Sequence, residues 1–137
     1  MFGHIMVPVD LAHLAKLEGA LKVAGDLAKH YGARVTYVGV TASQPGSVAH
    51  DPQDYAEKLA KFAAMQAELH DLRQIETHPV TVPDPAAELD RALEKALGLL
   101  GADLVVMGSH IPRRFDLGSH GGRIARHSQV SVMVVRD

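Results

Sequence analysis

Two Gly-Ser pairs near the end of the chain are the residues best suited to chemistry: Gly108-Ser109, followed by His110, and Gly118-Ser119. They lie between two apolar stretches, Leu104 to Met107 and Val130 to Val135. A strand that ends in Gly-Ser presents backbone N–H groups with no Cβ in front of them. A second Gly-Ser that opens a helix points further N–H groups, and a hydroxyl, at the same space. Two such turns make a phosphate cradle at the carboxyl edge of a parallel sheet. Arg113 and Arg114 lie between the pairs, opposed only by Asp116, and suit phosphate oxygens. The same residues also have a plain structural reading, a turn glycine after a strand and an N-cap serine before a helix.

Other polar residues carry the same double reading. Asp10 closes the first apolar run, as a ligand contact or as a helix cap. His110 and His127 are phosphate donors or proton carriers on one reading and surface or packing residues on the other. Gly121-Gly122 is costly inside a helix, about 1 kcal/mol per glycine relative to alanine. It reads either as close approach to a phosphate or as a loose helix start. Nine histidines are present, but none has the close spacing and carboxylate partner of a zinc site.

Composition narrows the classes. The 137 residues are enough for one domain, residues 1–137, with a real core. Hydrophobic residues make up 47% and charged residues 22%, which argues against disorder. A net charge of −2 gives no global field for nucleic acid, and the absence of Trp speaks against a base-stacking platform. With no Cys, disulfides and thiolate chemistry are excluded. No apolar run approaches the roughly 20 residues of a membrane span. The chain passes at once from Met-Phe-Gly-His into a strand without an evident signal peptide, so the expected location is the cytoplasm.

The elements that must position these residues alternate. His4 to Val9 reads as a buried strand. Leu17, Leu21, Ala24, Ala28 and Tyr31 recur at helical spacing up to a Gly32 cap. Arg34 to Thr41 is a second strand and Thr41 to Asp54 a loop. Tyr55 to about Arg73 is helical, with a core stripe of Leu59, Phe62, Met65 and Leu69. His78 to Val82 is a third strand, with Pro79 near its start or on a sheet edge. Asp84-Pro85 caps a helix carrying Leu89, Leu93, Ala96, Leu97 and Leu100, which ends at Gly101. Asp103 to Met107 is strand four, residues 109–117 a loop, residues 118–128 a short helix and residues 130–136 strand five. Helical crossovers of this length imply a doubly wound, five-stranded parallel α/β sheet with helices on both faces, a Rossmann-like arrangement. Ligands in such folds sit outside the carboxyl ends of the strands.

The chain resembles the universal stress protein family. The stretch His4-Ile5-Met6-Val7-Pro8-Val9-Asp10 is similar to that family's first strand and its aspartate. Ala102 through His110 is similar to its fourth strand and first glycine turn, and Gly118-Ser119 through Arg136 to its last helix and strand. The ATP-binding members carry a glycine, a second glycine shortly after it, and a closing Gly-Ser or Gly-Thr. Gly108 and Gly118-Ser119 match the ends of that pattern, Ile111 replaces the middle glycine, and the spacer is shorter.

The resemblance implies an adenine nucleotide alpha hydrolase-like fold and a nucleotide site at Pro8, Val9, Asp10, Val40, Met107, Gly108, His110, Gly118, Ser119 and His120. Arg113 and Arg114 are added on charge and loop position. It implies a homodimer formed through the last strand, with ATP as a regulatory ligand and Mg2+ arriving with it. No Walker lysine and no evident general base lie by the phosphate loop, so turnover is expected to be slow at most. Alternatives are an interaction module of the same fold that binds a protein partner without nucleotide, and a slow ATPase or phosphotransferase using His110 or His127.

Overall fold

The computed structural model describes residues 1–109 and 130–136. Five parallel strands lie in the order β3-β2-β1-β4-β5. They are β1 (His4–Val9), β2 (Arg34–Ala42), β3 (Ile75–Val82), β4 (Leu104–Gly108) and β5 (Ser131–Val135). The helices are α1 (Glu18–Tyr31), α2 (Pro52–His70) and α3 (Pro85–Leu100), and a 3-10 segment, Leu11–Leu17, leads into α1. The helix expected at 118–128 and most of the 109–117 loop lie outside the described residues.

β1 is central and every one of its residues is buried, which explains its continuous apolar sequence. Alternate strand residues feed two cores. Ile5, Val7, Val35 and Tyr37 pack against α1 and α2, whereas Met6, Val38, Val105 and Met107 pack against α3. The chain moves outward from β1 through β2 to β3, then returns to the other side of β1 for β4. That reversal makes a crevice at the carboxyl ends of β1 and β4.

Caps fix the helix ends. Gly32 and Gly101 take left-handed φ values of 65° and 68°, and each donates its N–H to the carbonyl four residues back. Asp84 accepts from Ala86 N, while its own N–H donates to Glu88 Oε2 at 2.8 Å. The amino edge is tied by His4. Arg34 Nη2 lies 3.0 Å from His4 Nδ1, and because guanidinium only donates, Nδ1 must accept. His4 Nε2 therefore carries the proton, 2.7 Å from Thr36 Oγ1. Asp103 accepts from the backbone N–H groups of Gly3 and His4.

Three local expectations need correction. β3 begins at Ile75, not His78, and pairs with β2 from Val35↔Ile75 to Ala42↔Val82. Its exposed and half-buried positions hide the start, because an edge strand is not continuously apolar. Pro79 does lie on this edge strand. α2 begins at Pro52 and ends at His70, rather than running from Tyr55 to Arg73. Asp51 caps it by accepting from Asp54 N at 2.7 Å, and Asp71 ends it in a left-handed conformation at φ 55°. Finally, Leu59 and Phe62 are buried, but Met65 and Leu69 are 67% and 72% exposed. The buried arc of α2 runs through Tyr55, Leu59, Phe62, Ala63 and Gln66, which leaves Met65 and Leu69 on its flank.

Candidate functional site

The cleft at the carboxyl edge is built by the chain leaving β1, the end of β2 and the loop between β2 and α2. Its volume is about 240 Å³, and its lining includes Asp10, Val40, Thr41, Gln44, Ser47 and Tyr55. Asp10 is the cap of the 3-10 segment. Its Oδ1 accepts from Ala12 N at 3.0 Å, and its Oδ2 lies 2.8 Å from His13 Nδ1. Asp10 thus serves as a cap and also lines the cleft.

The loop wall is held by short-range bonds. Gly46 N donates to Ala49 O at 3.0 Å. His50 N donates to Asp54 Oδ2 at 2.9 Å, and this bond is the main force holding the Asp54 carboxyl below its ordinary range. Lys58 Nζ donates to Val48 O and also lies 3.4 Å from Asp54. The polar loop is thereby fastened to the first turns of α2.

Tyr55 was not foreseen as a site residue. Its hydroxyl end lies over Gly39 of β2, where an added Cβ would meet the Tyr55 hydroxyl oxygen first and stand 3.0 Å from Cε1 and Cζ. Burial, and then the nearby charge of Asp10, push the Tyr55 hydroxyl well above the ordinary tyrosine range. It is therefore a neutral hydroxyl at the wall of the cleft. The available signal was Gly39, a glycine inside a strand, which marks close approach by another group. His13 was also missed, because its role depends on the turn that folds it back onto Asp10.

The expected residues divide into three groups. Asp10 and Val40 line the cleft together. Pro8, Val9, Met107 and Gly108 are buried in β1 and β4 beside it and are not among its lining residues. Met107 packs in the α3 core. Gly108 has a packing reason of its own, since a Cβ there would stand 3.0 Å from Leu17 Cδ2. His110, Arg113, Arg114, Gly118, Ser119 and His120 lie outside the described residues. Among the described residues, no group of three or more His, Asp or Glu is placed to hold a metal ion.

The whole chain has known counterparts. A universal stress protein crystallised in complex with cAMP is 21% identical, with a TM-score of 0.69, covering 98% of this chain and 97% of that one. UspA from Lactobacillus plantarum is also 21% identical, with a TM-score of 0.67 and the same coverages, 98% and 97%. A family protein from Arabidopsis thaliana with AMP bound is 17% identical, with a TM-score of 0.64, covering 98% of this chain and 90% of that one. At these identities the likeness shows the fold. No curated protein sequence gives a significant match. The model of the universal stress protein family matches residues 1–136. With that match along nearly its full length, and with the parallel sheet of the solved members, the chain belongs to the universal stress protein family.

Proposed function

We propose that this protein binds an adenine nucleotide, ATP, at the carboxyl-edge cleft and uses it as a regulatory ligand. The observation that carries this reading is the meeting of Asp10, Val40 and Tyr55 around one cleft beside the β1–β4 switch. The half-buried end of β2 at Val40 and Thr41 suits the edge of a base, and Asp10 and the Tyr55 hydroxyl suit ribose hydroxyls. Three solved relatives support the ligand class, since they are described with cAMP, dAMP and AMP. In this reading Gly108 and Gly118-Ser119 cradle the phosphates, His110 and His120 lie along them, and Arg113 and Arg114 add charge. Mg2+ enters on the phosphates, because it needs few protein ligands.

The protein acts in the cytoplasm as a dimer joined through β5, and any hydrolysis is slow. Calorimetric titration of the purified chain with ATP, AMP, cAMP and adenosine tests the reading. Saturable binding that weakens in Asp10→Ala is expected; absence of heat with every nucleotide would sink it. A nucleotide-free interaction module is the second reading. The observation in its favour is that both Asp10 carboxylate oxygens already have partners, Ala12 N and His13.

A further inference from the structure

A second concavity lies on the α1–α2 side of the sheet. Its volume is about 740 Å³, within the range of roughly 300–1,000 Å³ usual for small-molecule sites. Leu14, Leu21, Phe62, Met65 and Leu69 give it an apolar wall. The two helices touch where α1 passes His70: a Cβ at Gly25 would stand 3.0 Å from His70 Cγ. That contact closes one end of the crevice. The other end reaches Leu11 and Val48, which also line the carboxyl-edge cleft.

Two features point to an occupant. Met65 and Leu69 are large apolar side chains left mostly in water, at 67% and 72% exposure. The rim is cationic, with Lys22, Lys58 and Lys61 against Glu18. Lys22 is paired with Asp26 and Lys58 with Asp54, whereas Lys61 forms no ion pair among the described residues. Lys61, Met65 and Leu69 follow one another at four-residue spacing, so they form one strip along α2. Among the described residues the strip is a cation without an ion pair followed by exposed apolar surface.

We propose that this crevice binds a free long-chain carboxylate, with its head group on Lys61 and its chain along Met65 and Leu69. Charge complementarity selects the anionic head. A volume of about 740 Å³, in the small-molecule range, suits a single chain. The crevice shares Leu11 and Val48 with the nucleotide cleft, but the residues proposed to hold the ligand, Lys61, Met65 and Leu69, line only the crevice.

Titration of the full chain with dodecanoate, kept below its micelle concentration, tests the site. One chain per protomer should bind saturably. Lys61→Glu should weaken binding about tenfold, the scale of one lost charge-assisted contact. Leu69→Glu and, independently, Met65→Glu should abolish it, and the exposure of both positions leaves the fold intact. Dodecanol, with the chain but no charge, should bind more weakly than dodecanoate. Equal affinity in the wild type and these variants overturns the proposal, and so does absence of binding to monomeric dodecanoate. Capture on phosphatidylglycerol vesicles without uptake of monomeric dodecanoate also overturns it, because the crevice would then be a membrane contact.

Discussion

The hydroxyl end of Tyr55 rests on Gly39, with room for a hydrogen and none for a methyl group. Tyr55 comes from the first turns of α2 and Gly39 from within β2, so the contact joins the helix to the sheet beside the cleft that Tyr55 lines. Gly39→Ala should push the ring aside. Overpacking of this kind costs about 1–3 kcal/mol. A lowered urea midpoint together with weaker ATP binding is the expected pair of results. Wild-type stability in Gly39→Ala would show that the ring moves freely and does not shape the wall.

Asp10 joins the cleft to the fold in a different way. Asp10→Ala removes the cap of the 3-10 segment and the partner of His13. Loss of an N-cap acceptor costs about 0.5–2 kcal/mol. Asp10→Asn keeps an acceptor for Ala12 N and removes the charge. Asn should therefore retain most of the stability while still weakening nucleotide binding. If Asn restores affinity as well as stability, the charge of Asp10 plays no part in the ligand site.

Much of the frame was legible because local signals agreed with tertiary ones. The apolar run of β1, the Gly32 and Gly101 caps and the Asp84-Pro85 start all lie where the residues indicate. Asp51-Pro52 carries the same signature as Asp84-Pro85, yet it sits among loop-forming residues and its helix start was read too late. Met65 and Leu69 fit a helical core stripe, but periodicity does not say where a neighbouring helix stops covering it. Tyr55 over Gly39 and His13 on Asp10 arise from approach between elements, so no local pattern announces them. Asp10 and Val40 were legible as cleft-lining positions because strand ends at a switch point are predictable from topology.

His4 gives the fold a pH dependence. Burial, and then the charge of Arg34, lower its pKa from the ordinary 6.5, while Glu76 and Asp103 act weakly the other way. The unfolded chain therefore takes up the proton first as pH falls. The stabilising contribution is whole above the ordinary value and is lost as pH drops through it toward the folded value. Urea unfolding at about pH 7.5 and about pH 5.5 should show a larger loss in the wild type than in His4→Gln, which cannot titrate. Equal losses would assign the acid sensitivity to the other histidines.

The phosphate end of the proposed site makes its own prediction. Arg113→Ala combined with Arg114→Ala should weaken ATP more than adenosine, which lacks the phosphates these cations would meet. Gly118→Val should abolish ATP binding in a folded protein, because a branched Cβ crowds the cradle. Identical losses for ATP and adenosine in the double variant would place the two arginines away from the phosphates. Undiminished ATP affinity in Gly118→Val would remove that glycine from the site.

Among the described residues β5 is an edge of the sheet, paired with β4 alone. Its other side has no strand partner among those residues, and Met133 is 40% exposed. An apolar edge of this kind invites pairing with another chain. Two copies of the strand meeting across a two-fold axis would satisfy both the backbone groups and the apolar side chains. Val132→Pro removes a backbone donor from β5, and Val134→Lys places a charge on a half-buried position. Each should shift the protein from dimer to monomer in multi-angle light scattering, with the circular dichroism of the fold kept. Persistence of the dimer in both variants would move the interface off β5. The nucleotide reading would survive that result, because Asp10 follows β1, Val40 lies in β2 and Tyr55 in α2, none of them on β5.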